Sequence, residues 1–138
     1  MKRPHVVIIG GGFGGLTAAQ ALAKAPVTVT LVDRRNHHLF QPLLYQVATA
    51  ALNPGDIAYP IRAALAKQRN ARVLLATAES IDVAARRVHL DDGMLEYDYL
   101  IINRDVKDAV DQLATIIQAE RCRTSRLTLR FPDMEVPA

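Results

Sequence analysis

Five glycines and one phenylalanine at residues 10–15 restrict the fold of this 138-residue chain more than any other segment. They satisfy the pattern G-x-G-x-x-G, with Gly10, Gly12 and Gly15 in the fixed places. In that pattern the first glycine makes a tight turn, the second lets a pyrophosphate approach the backbone, and the third lets a helix pack closely on a strand. A β-branched run, His5–Gly10, precedes the loop, and an apolar stripe at helical spacing predicts a helix over Phe13–Lys24 after it.

An acidic residue ends the next predicted strand. Val27–Asp33 alternates leucine with β-branched residues, and Asp33 lies near the spacing of about 20 residues at which a carboxylate binds a ribose. Together these features predict a βαβ dinucleotide-binding unit. The alternative is a glycine-rich turn that binds nothing, with Asp33 capping a strand. The carboxylate would repel a 2′-phosphate, which disfavours a phosphorylated nicotinamide cofactor despite Arg34 and Arg35.

The chain beyond Asp33 predicts two short helices, a β-meander and one more parallel strand. The helices are expected over Pro42–Ala50 and Ile57–Gln68. The meander strands are expected over Val73–Ile81, Arg87–Leu90 and Met94–Tyr97, with Asp92-Gly93 as a hairpin turn. The apolar run Tyr99–Ile102 is expected to join the parallel sheet beside His5–Gly10 and Val27–Asp33. The predicted fold class is α/β, a three-layer Rossmann-like FAD/NAD(P)-binding domain whose parallel sheet carries a meander insertion.

The residues after position 102 are expected to form a divergent tail, 103–138, separate from the domain 1–102. The last glycine of the chain is Gly93. Apolar residues at helical spacing predict an amphipathic helix over Asp105–Arg121. A strand is possible over Arg126–Phe131.

Composition excludes several classes of protein. The chain has no tryptophan, 5% aromatic residues and a net charge of +3, which argues against nucleic-acid binding. Cys122 is the single cysteine, so an internal disulfide and a multi-cysteine zinc site are excluded and a reducing, cytoplasmic location is expected. No segment approaches the roughly 18 apolar residues of a membrane span, so any membrane contact would be peripheral. His37 and His38 lack metal spacing; as ligands or proton carriers they are less favoured than as surface or hydrogen-bonded residues.

Three segments carry a resemblance to a known family. The first is the 15-residue run NHHLFQPLLYQVATA, residues 36–50; the others are IAYPIR, residues 57–62, and YDYLI, residues 97–101. With the glycine loop, they make Arg3–Ile102 resemble the type II NADH dehydrogenases, or NADH:quinone oxidoreductases. These are flavoproteins with two dinucleotide-binding domains, and full-length members are peripheral on the cytoplasmic membrane.

The resemblance implies that FAD is the cofactor, with NADH and a quinone as the other partners. The pyrophosphate would lie on the glycine loop, the adenosine ribose on Asp33, and the adenine against backbone near Ala78. Independently, a meander placed before the last parallel strand is hard to explain in an ordinary NAD domain, whose crossovers are helices. No catalytic residue or metal ligand is assigned. The candidate cofactor-binding residues are Gly10, Gly12, Phe13, Gly14, Gly15, Asp33, Arg34, Gln41, Pro42, Leu43, Leu44, Tyr45, Gln46 and Ala78.

The segment matching the flavin side of the family's site is Gln41–Gln46. Within and beside it, Tyr45 and Phe40 would either flank the flavin ring or pack against the sheet.

The resemblance ends after Ile102, where the family has an Ala-Thr-Gly turn and this chain has Asn103-Arg104-Asp105. The family continues with a glycine loop for NADH, a return segment that completes the FAD site and a region for quinone. Because no glycine follows Gly93, we expect an incomplete FAD-binding domain that is inactive alone. The alternatives are an adenine-nucleotide-binding module without redox function, and a non-catalytic interaction protein from a truncated gene. The sequence indicates no oligomeric state.

Overall fold

The computed structural model describes residues 3–102 and 104–122. The chain divides into two compact units, residues 1–100 and residues 101–138. The strands of the first unit are β1 (His5–Ile9), β2 (Thr28–Asp33), β3 (His38–Leu39), β4 (Ala58–Tyr59), β5 (Ala71–Leu75), β6 (Ala78–Asp82), β7 (Arg87–Leu90) and β8 (Gly93–Glu96). The helices are α1 (Phe13–Ala21), α2 (Leu44–Ala48), α3 (Pro54–Ile57), α4 (Ile61–Leu65) and, in the second unit, α5 (Val106–Arg121). Short 3₁₀ turns cover Leu22–Lys24 and Gln41–Leu43.

A parallel sheet in the order β1-β2-β5 forms the centre of the first unit. The register places Ile9 beside Val32 and Asp33 beside Leu75, so all three strands end at one edge. The predicted strand, glycine turn, helix and second strand are confirmed, with α1 ending in a 3₁₀ turn before Pro26. The chain is therefore an α/β protein of Rossmann-like type, as its sequence pattern predicts.

The prediction for the third parallel strand is wrong. Tyr99–Ile102 forms no strand in the described part of the chain, and the position beside β2 is occupied by Ala71–Leu75. The predicted strand Val73–Ile81 is instead divided at Ala76 and Thr77 between the parallel sheet and the meander. Short apolar runs have the same residue pattern in both settings, so periodicity does not identify the partner strand.

The meander β6-β7-β8 is antiparallel, and its β7–β8 turn falls at Asp92-Gly93 as predicted. It packs on one face of the parallel sheet through a buried cluster: Val32, Ala76, Val88, Leu90 and Tyr97. Residues of β2 alternate between the two faces of the sheet. Val29 and Leu31 therefore point away from the meander, and both are fully buried. Helix α1 contacts β1 and β2, and α4 contacts β5. The result is three layers.

Residues 54–65 differ from the single helix predicted over Ile57–Gln68. Asp56 accepts a 3.0 Å hydrogen bond from the Asn53 amide and caps the short helix α3. Two residues of extended chain, β4, then pair antiparallel with β3 before α4 begins. Pro60 explains the break, because a proline disfavours helical backbone at the residue before it and lacks the N–H that a helix interior requires.

The described part of the second unit is dominated by α5, which confirms the predicted helix Asp105–Arg121. Asp105 caps it by accepting a 3.1 Å hydrogen bond from the Asp108 amide. The predicted strand Arg126–Phe131 lies outside the described residues. Across residues 3–102 and 104–122, no helix is long and apolar enough to cross a membrane.

Candidate dinucleotide-binding site

A cleft of about 290 Å³ opens where β1, β2 and β5 end. Four of the predicted cofactor-binding residues, Gly10, Asp33, Arg34 and Ala78, line this cleft. The other lining residues are Ile9, Val32, Ala76 and Thr77. Ligands of open parallel sheets bind beyond the carboxyl ends of the strands, so this cleft lies where a dinucleotide site is expected.

The glycine loop turns tightly from β1 into α1. Gly10 has a φ of +97°, a conformation that favours glycine, and its amide donates a 2.8 Å hydrogen bond to the Val32 carbonyl. The amide of Leu16 donates to the Gly12 carbonyl at 3.0 Å, which starts the helix. No described side chain caps α1 and its first turn contains no acidic residue. The N–H groups there are consequently available to an anion.

Glycine at residues 15 and 12 of this loop has two separate physical causes. A Cβ at Gly15 would collide with the Gly10 carbonyl oxygen, so glycine is required there for packing of α1 on β1. At Gly12, φ is −70° and no described atom lies within 4 Å of an added Cβ. Neither protein packing nor backbone conformation explains glycine at that position. A ligand that approaches the backbone does explain it.

Asp33 connects the end of β2 to the glycine loop. Its Oδ2 accepts a 2.6 Å hydrogen bond from the Gly11 amide, and its Oδ1 accepts a 2.7 Å hydrogen bond from the Arg35 amide. A carboxylate has about four lone-pair sites, so each oxygen keeps acceptor capacity for a further donor. Asp33 is therefore oriented by backbone and can still accept hydrogen bonds from a pair of hydroxyl groups.

One wall of the cleft, Ala76–Ala78, is held by hydrogen bonds to the backbone carbonyl of Asp33 and to Asp91. The Ala76 amide donates to the Asp33 carbonyl at 3.1 Å. The Thr77 amide donates to Oδ1 of Asp91 at 3.0 Å, and the Asp91 amide donates back to the Thr77 carbonyl at 3.1 Å. The turn of the meander thus fixes the wall that the resemblance assigns to the adenine.

Phe13 starts α1 and lies about half exposed at the rim of the loop. Its ring meets His38 edge-on with centroids 4.7 Å apart and Phe40 edge-on at 5.5 Å. His38 also donates a 3.0 Å hydrogen bond from Nδ1 to the Gly11 carbonyl, whereas His37 is exposed. The two histidines therefore differ in role, and the hydrogen-bonded alternative holds for His38.

The segment Gln41–Gln46 folds as a 3₁₀ turn followed by α2 and does not line the cleft. Tyr45 is 77% exposed, so its ring does not pack against the sheet. Gln46 carries a buried Oε1 atom that has no hydrogen-bond partner among the described residues. An unpaired buried acceptor is costly, and a donor group on a ligand would satisfy it.

These observations fit a dinucleotide with an adenosine half. The cleft region offers free backbone amides at the start of α1 and the oriented carboxylate of Asp33. Gly12 leaves open space next to the backbone for a ligand. Among the residues that the structure describes, no group of three His, Cys, Asp or Glu side chains could hold a metal ion. Cys122 is exposed in the second unit.

Comparison with known proteins decides the family. Residues 4–103 match the family described as Pyridine nucleotide-disulphide oxidoreductase. The chain belongs to this family. Family membership implies a flavin cofactor. Two relatives from Mycobacterium tuberculosis are similar in sequence: the type II NADH:quinone oxidoreductase Ndh, 55% identical over 87 residues, and NdhA, 44% identical over 135 residues.

The chain spans a minor part of these relatives. It covers 19% of the length of Ndh and 29% of NdhA, while the matches include 63% and 93% of this chain. The family match over residues 4–103 includes the glycine loop, Asp33 and the meander.

Solved structures of related oxidoreductases share the fold. The sulfide:quinone oxidoreductase of Aquifex aeolicus superposes with a TM-score of 0.65 at 25% identity, over 87% of this chain and 33% of that chain. NDH2 from Plasmodium falciparum, solved in complex with NADH, gives a TM-score of 0.61 at 20% identity over 92% of this chain and 32% of that chain. The Rossmann-like architecture of the pyridine nucleotide-disulphide oxidoreductases is therefore present in this chain.

Two residues that organise the site were not among the sequence-based candidates. Asp91 precedes the predicted hairpin turn Asp92-Gly93, and its separation of 14 residues from Thr77 gives no signal of a hydrogen bond. The sequence favours a surface or hydrogen-bonded role for His38, but it does not identify the Gly11 carbonyl as the partner.

Proposed function

We propose that this chain is the FAD-binding part of a type II NADH:quinone oxidoreductase. The observation that supports this most directly is the cleft in which Gly10, Asp33 and Ala78 meet beside the uncapped start of α1. The two Mycobacterium tuberculosis relatives support the choice of NADH and quinone as partners. FAD supplies a ring that accepts a hydride and passes electrons onward.

The residues of this chain would bind and orient the adenosine half of FAD. The amides at the start of α1 donate to the pyrophosphate, and the open space at Gly12 admits it to the backbone. Asp33 accepts from the ribose hydroxyl groups, with Arg34 beside it on the cleft wall. The backbone at Ala78 borders the space for the adenine.

The flavin half is assigned to Gln41–Gln46 on the resemblance and on one observation. The buried Oε1 of Gln46 lacks a partner among the described residues, and a flavin contains N–H groups that could donate to it. Tyr45 and Leu44 present exposed apolar surface in the same segment. We infer that this surface becomes covered when the cofactor is bound.

A titration with FAD tests the proposal. Binding quenches or shifts flavin fluorescence, so affinity can be measured for the wild type, Gly12→Asp and a matched control, Gly55→Asp. Gly55 is exposed in α3. At Gly55, as at Gly12, no described atom lies within 4 Å of an added Cβ. We expect the wild type and Gly55→Asp to bind alike and Gly12→Asp to lose binding, because a carboxylate at residue 12 repels the pyrophosphate.

Two results would contradict the proposal. Equal FAD binding by Gly12→Asp and the wild type would place the cofactor elsewhere. If the chain bound ADP as tightly as FAD, the flavin half would contribute nothing to affinity, and the chain would be an adenine-nucleotide-binding module.

A further inference from the structure

His38 contacts the residues on both sides of Gly12. Its Nδ1 lies 3.0 Å from the carbonyl oxygen of Gly11, and its ring centroid lies 4.7 Å from that of Phe13 at an interplanar angle of 83°. Gly12 itself has open space where a Cβ would be. Gly12, where an added Cβ would meet no described atom, thus lies between two residues that His38 contacts.

The hydrogen bond fixes which ring nitrogen carries the proton. A carbonyl oxygen only accepts, so Nδ1 of His38 must donate. Both the neutral Nδ1-protonated ring and the doubly protonated ring satisfy this bond.

Gly11 is held on its other sides as well. Its amide donates to Oδ2 of Asp33 at 2.6 Å, and an added Cβ would collide with Cδ1 of the fully buried Ile61. The N–H, the carbonyl and the Cα of Gly11 are thus each restrained by a different segment of the chain. Of the three residues that restrain Gly11, His38 also contacts Phe13, the first residue of α1.

We propose that His38 is a positioning residue that orients the backbone around Gly12 for a pyrophosphate. This inference rests on the proposed function of the same site. His38 need not touch the cofactor; through its hydrogen bond to the Gly11 carbonyl it keeps the Gly11–Gly12 peptide in the geometry that the ligand requires. Preorganised donors bind an anion more tightly than donors that must first be ordered.

Three variants separate this role from general packing. His38→Ala removes both the hydrogen bond and the ring. His38→Asn keeps a side-chain N–H near the position of Nδ1 and removes the ring. His37→Ala is the matched control, because it removes an adjacent imidazole that is exposed and forms no hydrogen bond among the described residues. Thermal unfolding of each variant verifies that it folds.

Two measurements are made on each variant. The first is hydrogen exchange of the Gly11 and Gly12 amides by NMR without ligand, and the second is FAD affinity. One hydrogen bond changes an equilibrium constant by a factor of about three to ten. His38→Ala should therefore speed amide exchange in the loop and weaken FAD binding by about that factor. His38→Asn should recover most of both effects, and His37→Ala should match the wild type.

The possible failures are distinct. If the wild type binds FAD and His38→Ala equals His37→Ala in exchange and affinity, the positioning role is wrong while the proposed function stands. If His38→Asn is as impaired as His38→Ala, the ring packing and not the hydrogen bond is responsible, which also overturns the inference. A wild type that does not bind FAD overturns the proposed function and this inference together.

Discussion

The carboxylate of Asp33 accepts a 2.6 Å hydrogen bond from the amide of Gly11, so the residue proposed to bind the ribose also holds the phosphate loop. The same side chain accepts from the Arg35 amide at 2.7 Å. One acidic residue therefore links the end of β2, the turn after it and the glycine loop. Both ends of the proposed adenosine site depend on its position.

Replacing Asp33 by alanine should reduce both stability and ligand binding. Two backbone N–H groups would lose their acceptor, and water can replace it in part because Asp33 is partly exposed. We expect a loss of about 1–3 kcal/mol in the free energy of unfolding, measured with urea. Asp98→Ala is the control, because Asp98 is exposed and forms no hydrogen bond among the described residues. Equal unfolding midpoints for the two variants would contradict the linking role of Asp33.

Alanine substitutions at Gly15 and Gly12 should separate folding from binding. At Gly15 the added methyl group meets the Gly10 backbone, so the free energy of unfolding should fall by about 2 kcal/mol or more. At Gly12 the methyl group meets no described atom, so stability should change by less than about 1 kcal/mol while FAD affinity falls. Chemical denaturation and FAD titration of the same two proteins check this. If Gly12→Ala lost stability and Gly15→Ala lost only FAD affinity, the distinction between the two glycines would be wrong.

The sequence predicted the parts of this site that depend on local spacing. Gly10, Gly15 and Asp33 lie on one continuous βαβ unit, and each has a fixed offset from the others, so the pattern determines their arrangement. Asp91 and His38 reach the site from segments whose paths depend on tertiary packing. No spacing rule covers such contacts.

The wrong strand prediction has a similar cause. Ala71–Leu75 and Tyr99–Ile102 are both short and largely apolar, so either could continue a parallel sheet next to β2. In the structure α4 directly precedes β5 in the chain and packs against it, and β5 is the strand that pairs with β2. Because Pro60 breaks the predicted helix, the start of α4 could not be located from periodicity alone.

Asp91 should act on nucleotide affinity without touching the nucleotide. Asp91→Ala removes the acceptor for the Thr77 amide, and Asp91→Asn keeps an acceptor oxygen. We expect Asp91→Ala to weaken ADP binding by about threefold to tenfold, and Asp91→Asn to remain within about twofold of the wild type. Calorimetric titration with ADP measures both. Equal loss in the two variants would show that the charge of Asp91, and not its hydrogen bond to the cleft wall, is responsible.

Electron transfer should not follow from FAD binding by these 138 residues alone. Hydride transfer requires a nicotinamide held about 3–3.5 Å from the flavin in alignment, and such positioning is worth ~7–11 kcal/mol. The chain spans less than a third of the relatives that carry this activity in their names. We expect the FAD-loaded polypeptide to oxidise NADH with a quinone no faster than free FAD at the same concentration. Turnover that exceeds this control and is lost in Gly12→Asp would contradict the expectation.

The most direct test of the central claim is to map FAD binding by residue on the ¹⁵N-labelled chain. Titration followed by amide chemical shifts reports which backbone groups meet the ligand. The account predicts the largest changes at Gly11, Gly12 and Phe13, at Asp33 and Arg34, and at Thr77 and Ala78, with little change at Gly55. Saturable binding whose shifts fall outside the cleft, or no shifts at FAD concentrations that saturate related flavoproteins, would contradict the assignment of this cleft as the FAD site.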